Sequence, residues 1–483
     1  MEDSNPWIKT VSVRNLHDQY DIDQLFFAGT NILYGLNGRG KTTLLHIIAN
    51  ALEGDFRRFL YIRFSNIRIT SNTGSELLIR QDRSGDTISI TSILNGVELP
   101  SVDVETSLSH DYKKTIAASF GGAPVYLPAF RSILERTSKE SLVRHDLEKD
   151  QMDEFSAIVK QEQVSRRALR TSDNPQSRYY PDRHDRQAES VAYKTIQCRK
   201  WFGKSVPTIR YPSLSEVEDR LNEEIRMAQI MLARLEEGIF SEMFVNVIEL
   251  ILKPTDDAGF TNTPTLLATL SNTMSKLQSN NTESGSIFTR IQNIVNQYAD
   301  MGTERELATR ILSLYISVMD NRIDYQQKSY ENIRRFSESV NTFLNDKELL
   351  FHESWARRTF LPSLVYIKSK FNNKPIGLNS LSSGERQIVT MLFSATRMAS
   401  GSSVFLIDEP EISLHIDWQR CIISEIEKHA TGKQIIACTH SPEVGADHFG
   451  RVTIFTPRQS AKQEQNTIND ENDVGDDEAG GEE

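Results

Sequence analysis

Gly35-Leu36-Asn37-Gly38-Arg39-Gly40-Lys41-Thr42 is the stretch whose reading decides the fold. It fits the pattern of a glycine, four residues, then Gly-Lys-Thr, in which a loop wraps a phosphate. Its flanks suit that reading. Asn31-Ile32-Leu33-Tyr34 is a short apolar run that reads as a strand ending at the loop, and residues 43–50 carry apolar side chains at helical spacing without a breaker. A strand, a glycine-rich turn and a helix start present backbone N–H groups and a positive dipole end to an anion. Gly35, Gly38 and Gly40 let the backbone approach oxygens where a Cβ would clash. Lys41 is expected to reach the β- and γ-phosphates and Thr42 to ligate Mg²⁺. Asn37, Arg39 and Thr43 complete the expected binding loop.

The rest of the chain is long enough to build two lobes around this loop, since 483 residues exceed one hydrophobic core. Charged residues at 25% and apolar ones at 38% predict a soluble globular protein. No run of eighteen apolar residues predicts a membrane span, and residues 1–6 lack the basic and apolar regions of a secretory signal. Cys198, Cys421 and Cys438 are far apart and show no metal-ligand spacing, so a reducing cytoplasm is expected. The net charge is −11, but nine acidic residues and no basic one lie between Glu464 and Glu483. The tail, residues 459–483, is expected to be disordered. It reads as a solvated tail or, more sharply, as a DNA mimic or self-masking segment.

Before the loop, Ile8, Val11, Val13, Leu25, Phe26 and Phe27 predict a two-strand ribbon; Arg14 and Asn15, at the first strand's end, are candidates for an adenine pocket. After the loop helix, residues 60–64, 67–69, 77–80 and 87–90 have strand character and predict an antiparallel subdomain. Val125-Tyr126-Leu127 predicts a core strand stopped by Pro128, with Arg131 at the mouth of the site. From residue 132 the periodicity turns helical. Residues 165–210 hold eleven basic and four acidic residues, interleaved with Tyr179, Tyr180, Tyr193 and Trp201. Such a mixture suits nucleic acid, an acidic partner or solvent. Ser215-x-x-Glu218 and Thr303-x-x-Glu306 read as capping boxes of long helices, the second running to about Asp346.

Two further segments bear on the loop. Leu381-Ser382-Ser383-Gly384-Glu385 precedes an apolar helix over residues 388–398, and offers N–H groups and hydroxyls to an anion. Val404-Phe405-Leu406-Ile407-Asp408-Glu409-Pro410 is an apolar strand that delivers two carboxylates at its C-terminal edge, where ligands of parallel sheets sit. Adjacent buried acids need a cation, so Asp408 is expected to hold Mg²⁺ through water and Glu409 to polarise an attacking water. Gln434–Thr439 is another strand, followed by His440, placed to bond a γ-phosphate or that water.

Taken together, the glycine-rich loop, Leu-Ser-Ser-Gly-Glu, Asp-Glu-Pro and strand-end histidine resemble the ABC-type ATPase head of the SMC, RecF and OLD kin, over about residues 7–130 and 348–458. The resemblance implies an α/β fold: a P-loop mixed sheet with an antiparallel β-subdomain, interrupted by a large helical insertion. It implies ATP and Mg²⁺ as cofactors, with Lys41, Glu409 and His440 catalytic, Thr42 and Asp408 on the metal. Residues 37–43 with Ser382, Ser383 and Gly384 would hold nucleotide, the latter three from the other copy of a head-to-tail dimer or higher oligomer. The expected divisions are 1–131, 132–347, 348–458 and 459–483.

Details shift the resemblance away from transporters. Ser383 and Glu385 stand where transporters carry glycine and glutamine, His415 replaces an aspartate, and Pro128-Ala129-Phe130-Arg131 occupies the glutamine-loop region. The Asp-Glu-Pro-Glu…Leu-His run is more similar to the OLD, Septu and PARIS anti-phage ATPases. With no Toprim-like domain or His-Asn-His motif in view, the resemblance implies a separate effector, a nuclease, under control of an ATP-driven sensor and scaffold. The competing expectation is a RecF-like repair ATPase that clamps DNA; a transporter subunit fits least.

Overall fold

The computed structural model describes residues 5–84, 87–103, 108–134, 149–170, 181–252, 302–353, 363–371, 373–396 and 404–460, with Thr269, Asn272 and Asn293. The acidic tail beyond Ser460, and Arg178, Tyr179 and Tyr180 of the basic segment, lie outside the described residues. By contacts the chain divides into two compact units, Met1–Ser215 with Leu381–Glu483, and Glu216–Ser380.

The first unit contains a five-stranded parallel sheet in the order β14 (Val452–Ile454), β3 (Thr30–Tyr34), β13 (Gln434–Thr439), β12 (Val404–Asp408) and β8 (Val125–Leu127). Every residue of β12 and β13 is buried, which is why both read as unbroken apolar runs rather than alternating ones. Helix α1 (Lys41–Glu53) follows β3 and is buried from Leu44 onward. A seven-stranded antiparallel sheet carries β15 (Arg458–Gln459), β2 (Tyr20–Leu25), β1 (Ile8–Leu16), β4 (Asn66–Ser71), β5 (Glu76–Ser84), β6 (Thr87–Leu94) and β7 (Val97–Val102), in that order. Here burial alternates, as in β4, where Ile67, Ile69 and Ser71 face inward. One amide joins the two sheets. The Gln434 Oε1 accepts from the Ile8 N–H at 2.9 Å and its Nε2 donates to the Ile8 carbonyl at 2.8 Å.

Residues 60–64 depart from their strand-like composition. Phe56–Tyr61 forms a 3-10 turn, and the next strand starts at Asn66. Phe59 packs against both Phe56 and Phe64, and all three rings are buried. A strand would send alternate side chains to opposite faces and break that cluster.

The first unit also holds α2 (His110–Ser119), the short α3 (Arg131–Leu134), α4 (Lys149–Arg170) and α5 (Pro181–Phe202). Ion pairs fasten α4 and α5 around α1. Arg199 contacts Glu154 at 2.6 Å and Asp55 at 3.3 Å, and Arg58 pairs with the same two acids. Arg210 bridges Glu53 and Glu162, while Lys194 donates to the Tyr211 carbonyl. Burial alone would push the Asp55 carboxyl up, but Arg58, Arg199 and Lys113 hold it well below the usual range. Several cations of the basic segment are therefore consumed inside this unit.

The second unit is built on α6 (Leu214–Leu252), α7 (Gly302–Asn341) and a small antiparallel sheet of β11 (Pro375–Ile376), β10 (Val365–Ser369) and β9 (Lys347–Phe351). Both long helices start one residue before the expected Ser/Thr caps. Helix α7 stops at Asn341, short of Asp346. The Asn341 side chain there exchanges hydrogen bonds with the Leu349 N–H and carbonyl, turning the chain into β9. At 40 residues it is about 60 Å long. Toward its C-terminal end α6 exposes Phe240, Phe244, Val245, Ile248, Ile251 and Leu252.

Candidate nucleotide-binding site

β3 ends at Tyr34 and the glycine loop begins at once. Gly38 and Gly40 have φ of 78° and 89°, a region that side chains other than glycine rarely adopt. Gly35 is small for a different reason: a Cβ there would lie 3.0 Å from the Phe455 carbonyl oxygen. No side chain caps α1 and no acid occupies its first turn, so its N–H groups face an open, positive helix end. Lys41 is 5% exposed. Its Nζ donates to the carbonyls of Gly35 at 2.7 Å and Leu36 at 3.1 Å, bonds that hold the ammonium within the loop.

β13 lies between β3 and β12, and this order carries Asp408 to the helix start. The Thr42 hydroxyl donates to Asp408 Oδ2 at 2.9 Å and lies 3.2 Å from Oδ1. Asp408 is 1% exposed. Burial raises its carboxyl to about 7, and Glu409 raises it too, against opposing pulls from Thr42, Arg131 and Lys41. A buried acid this short of positive charge, with a hydroxyl alongside, fits the donor set of a hard divalent cation such as Mg²⁺. No cluster of three or more His, Cys, Asp or Glu suited to a metal exists among the described residues, so remaining donors would be phosphate oxygens and water.

Glu409 follows β12 with φ of +47°, a strained value for a glutamate. Its N–H donates to the Cys438 carbonyl at 2.8 Å. Its carboxylate lies 3.5 Å from His440 Nδ1. Glu411, two residues on, has no role in the sequence pattern. Its Oε1 accepts from the Thr439 hydroxyl at 2.6 Å and from the N–H groups of His440 at 2.9 Å and Ser441 at 3.1 Å, and lies 3.1 Å from His440 Nδ1. It is 5% exposed. This buried carboxylate shapes the turn that presents His440. The only signal for it in the sequence was a third acid directly after Asp-Glu-Pro.

Arg131 is not at a mouth, as its position after Pro128 suggested. It is fully buried beneath the end of β12, donating to the Asp408 carbonyl at 2.7 Å and the Glu409 carbonyl at 2.9 Å. Arg14 is engaged with Asp23 at 2.7 Å, and the Asn15 N–H with Asp21. Asn15 also lines a surface groove of about 420 Å³ with Asp18, Arg63, Phe64, Ser65, Gln81 and Arg83.

Ser382 and Glu385 form a reciprocal cap at the start of α8 (Ser383–Thr396). The Ser382 N–H donates to Glu385 Oε2 at 2.6 Å, and the Glu385 N–H reaches the Ser382 hydroxyl at 3.4 Å. Gly384 packs against the turn after Glu409: a Cβ would stand 2.6 Å from the Ser413 carbonyl oxygen. Ser383 opens the helix. His415 is the N-cap of α9 (Ile416–His429), with Nδ1 3.5 Å from the Asp417 N–H. The structure thus brings Lys41, Thr42, Asp408, Glu409 and His440 to the ends of adjoining parallel strands, and joins the 382–385 turn to the 409–415 turn.

Residues 248–447, less than half of the chain, match the family described as "AAA domain, putative AbiEii toxin, Type IV TA system". Among curated proteins the chain is 29% identical over 135 residues to "Retron Ec83 probable ATPase" of Escherichia coli, covering 23% of this chain and 25% of that one. It is 29% identical over 118 residues to "Retron Vc95 probable ATPase" of Vibrio cholerae, covering 22% of each. These alignments span about a quarter of the relatives' lengths. Solved structures of the Smc head domain with an extended coiled coil bound to the C-terminal domain of ScpA, from Pyrococcus furiosus, and of the Smc head domain with a coiled coil and joint, from Pyrococcus yayanosii, align at 12% and 14% identity. Both cover 97% of this chain and 100% of theirs, at a TM-score of 0.39. By sequence, then, this mixed α/β protein is similar to an AbiEii-type AAA domain and to retron-associated ATPases.

Proposed function

We propose that the chain binds ATP with Mg²⁺ and hydrolyses it, and that this cycle controls a separate effector, a nuclease, in anti-phage defence. The observation that carries the ATPase reading is the Thr42 to Asp408 hydrogen bond, which closes one site from segments 366 residues apart. Lys41 and the α1 N-terminus bind and orient the phosphates. Thr42 and Asp408 would hold Mg²⁺, which supplies charge neutralisation at the phosphates. Glu409 holds the attacking water and takes its proton, and His440 steadies Glu409 or the γ-phosphate. Positioning and charge stabilisation account for such catalysis.

The dimeric part rests on Ser382, Ser383 and Gly384, which in a head-to-tail pair would face the nucleotide of the other copy. The defence part rests on likeness to retron ATPases and to the AbiEii-type family. The helical region between the halves of the head would relay the cycle to the effector, in the cytoplasm. No described helix is long and apolar enough to cross a membrane. The alternative, a DNA clamp, loses support because Arg199 and Arg210 of the basic segment are spent on internal acids.

Purified protein is tested for Mg²⁺-dependent ATP hydrolysis, and its mass is measured with and without ATP beside co-purifying neighbouring gene products. Turnover and an ATP-dependent complex with a nuclease are expected. No ATP binding at all would end the reading. ATP-dependent, salt-sensitive DNA binding without an effector would favour the clamp.

A further inference from the structure

Arg131 is a costly residue to bury. Its guanidinium is charged at any ordinary pH and fully excluded from solvent. Yet it forms no ion pair with a carboxylate among the described residues. Nη1 donates to the carbonyls of Pro128 at 3.0 Å and Asp408 at 2.7 Å, and Nη2 to the carbonyl of Glu409 at 2.9 Å. Nε has no hydrogen-bond partner among the described residues. The two carbonyls of residues 408 and 409 belong to the peptide planes on either side of the Glu409 α-carbon. Fixing both planes fixes the φ and ψ of Glu409. Its φ of +47° is one that a glutamate leaves when free to do so. The planar fork of an arginine can hold two oxygens at once; an ammonium has no such geometry.

The residue before Arg131 reaches away from β12, toward α5. The Phe130 ring stacks on Phe202, the last residue of α5, with centroids 3.9 Å apart and planes 9° apart. One dipeptide therefore grips α5 with one side chain and the end of β12 with the next. Helix α5 is in turn tied to α4 and to Asp55 through Arg199.

We infer that Arg131 is a positioning residue that holds Glu409 in its left-handed turn, and that the Phe130–Phe202 stack links this turn to α5. The position of α5 then sets the rate of hydrolysis without altering nucleotide affinity. The inference rests on the reading of Glu409 as the water-activating base.

The test is steady-state ATP hydrolysis by the full chain, with ATP affinity and thermal midpoint measured beside it. Glu409→Gln comes first. Wild-type turnover in that variant overturns the base assignment itself. With E409Q inactive, Arg131→Lys is expected to lower kcat about 100-fold, the cost of a carboxylate misplaced by roughly 1 Å, with KM within about threefold. A mere packing role would lower the midpoint and leave kcat per folded molecule unchanged, and that result overturns the positioning role. Phe202→Leu changes a partly exposed ring and so keeps the fold. It is expected to lower kcat on the order of threefold to thirtyfold at unchanged ATP affinity. Wild-type kcat in F202L overturns the link to α5. If R131K does not fold, Arg131→Gln takes its place with the same two readouts: a lowered kcat per folded molecule supports the positioning role and an unchanged one overturns it, while F202L decides the link to α5.

Discussion

The glycine loop and the carboxylate turn face the same candidate site but are built in opposite ways. The turn and lysine of the loop are fixed mainly by its own residues, with Gly35 and Thr42 anchored outside it, to Thr439 and Asp408. Gly38 and Gly40 supply the turn, and Lys41 bonds to carbonyls five and six residues earlier. The turn after β12 is made by others. Arg131 reaches it across 277 residues, and Glu411 fastens it to residues 439–441. Local construction leaves the loop free to exchange its internal bonds for those of a ligand. Distant construction makes the turn dependent on packing elsewhere.

This difference predicts a graded set of losses. The largest is at the loop. Lys41→Ala should weaken ATP binding by two orders of magnitude or more, because the loop's one buried cation is lost, a cost of about 3 kcal/mol or more for an unpaired phosphate charge; titration calorimetry reads it directly. Next is the turn. Glu409→Gln should lower kcat on the order of 100-fold while ATP affinity stays within about twofold, since it removes proton acceptance and not binding. Third, Glu411→Ala should destabilise the protein by ~1–3 kcal/mol for each donor it leaves unpaired. Denaturant unfolding measures this, and a loss below that range would show that Thr439, His440 and Ser441 find other partners.

The pH response follows from Asp408. Its carboxyl is raised from 3.8 to about 7, mainly by burial. A group raised in the folded state favours folding while protonated. That contribution is complete below about pH 4 and disappears as pH rises through about 7. Nucleotide-free protein should therefore melt lower at pH 8 than at pH 6, by a few degrees at about 2–4 °C per kcal/mol, and Asp408→Asn should flatten the difference. Cation binding runs the other way, stronger at pH 8, because the proton competes for the carboxylate. The smallest effect is at the capped turn. Glu385→Ala should cost about 1 kcal/mol through loss of the reciprocal cap, seen as a lowered thermal midpoint with ATP affinity unchanged.

The same contrast explains what could be read from residues alone. The loop was legible because turn, lysine and helix start are contiguous. β12 and β13 were legible because burial on both faces demands unbroken apolar runs. Residues 60–64 misled because aromatic and β-branched side chains suit a strand and a ring cluster equally well. Arg131 has a local sequence that gives no hint of its work, because its partners are backbone carbonyls, which leave no trace in composition. Glu411 shows only as a third acid after Asp-Glu-Pro, and its partners, a hydroxyl and two N–H groups of residues 439–441, are distant in sequence. Lys194, Arg199 and Arg210 looked like an external charge patch because sequence shows charges without showing what neutralises them.

The left-handed backbone at Glu409 has a practical consequence for anyone seeking an ATP-locked form. Glutamine there removes the base but keeps the strain, on the order of 1 kcal/mol. Glycine removes both, so Glu409→Gly should be the more heat-stable of two equally silent variants. Stored tension that outlasts the loss of turnover would mark the glutamate as a side chain the backbone tolerates only for its chemistry.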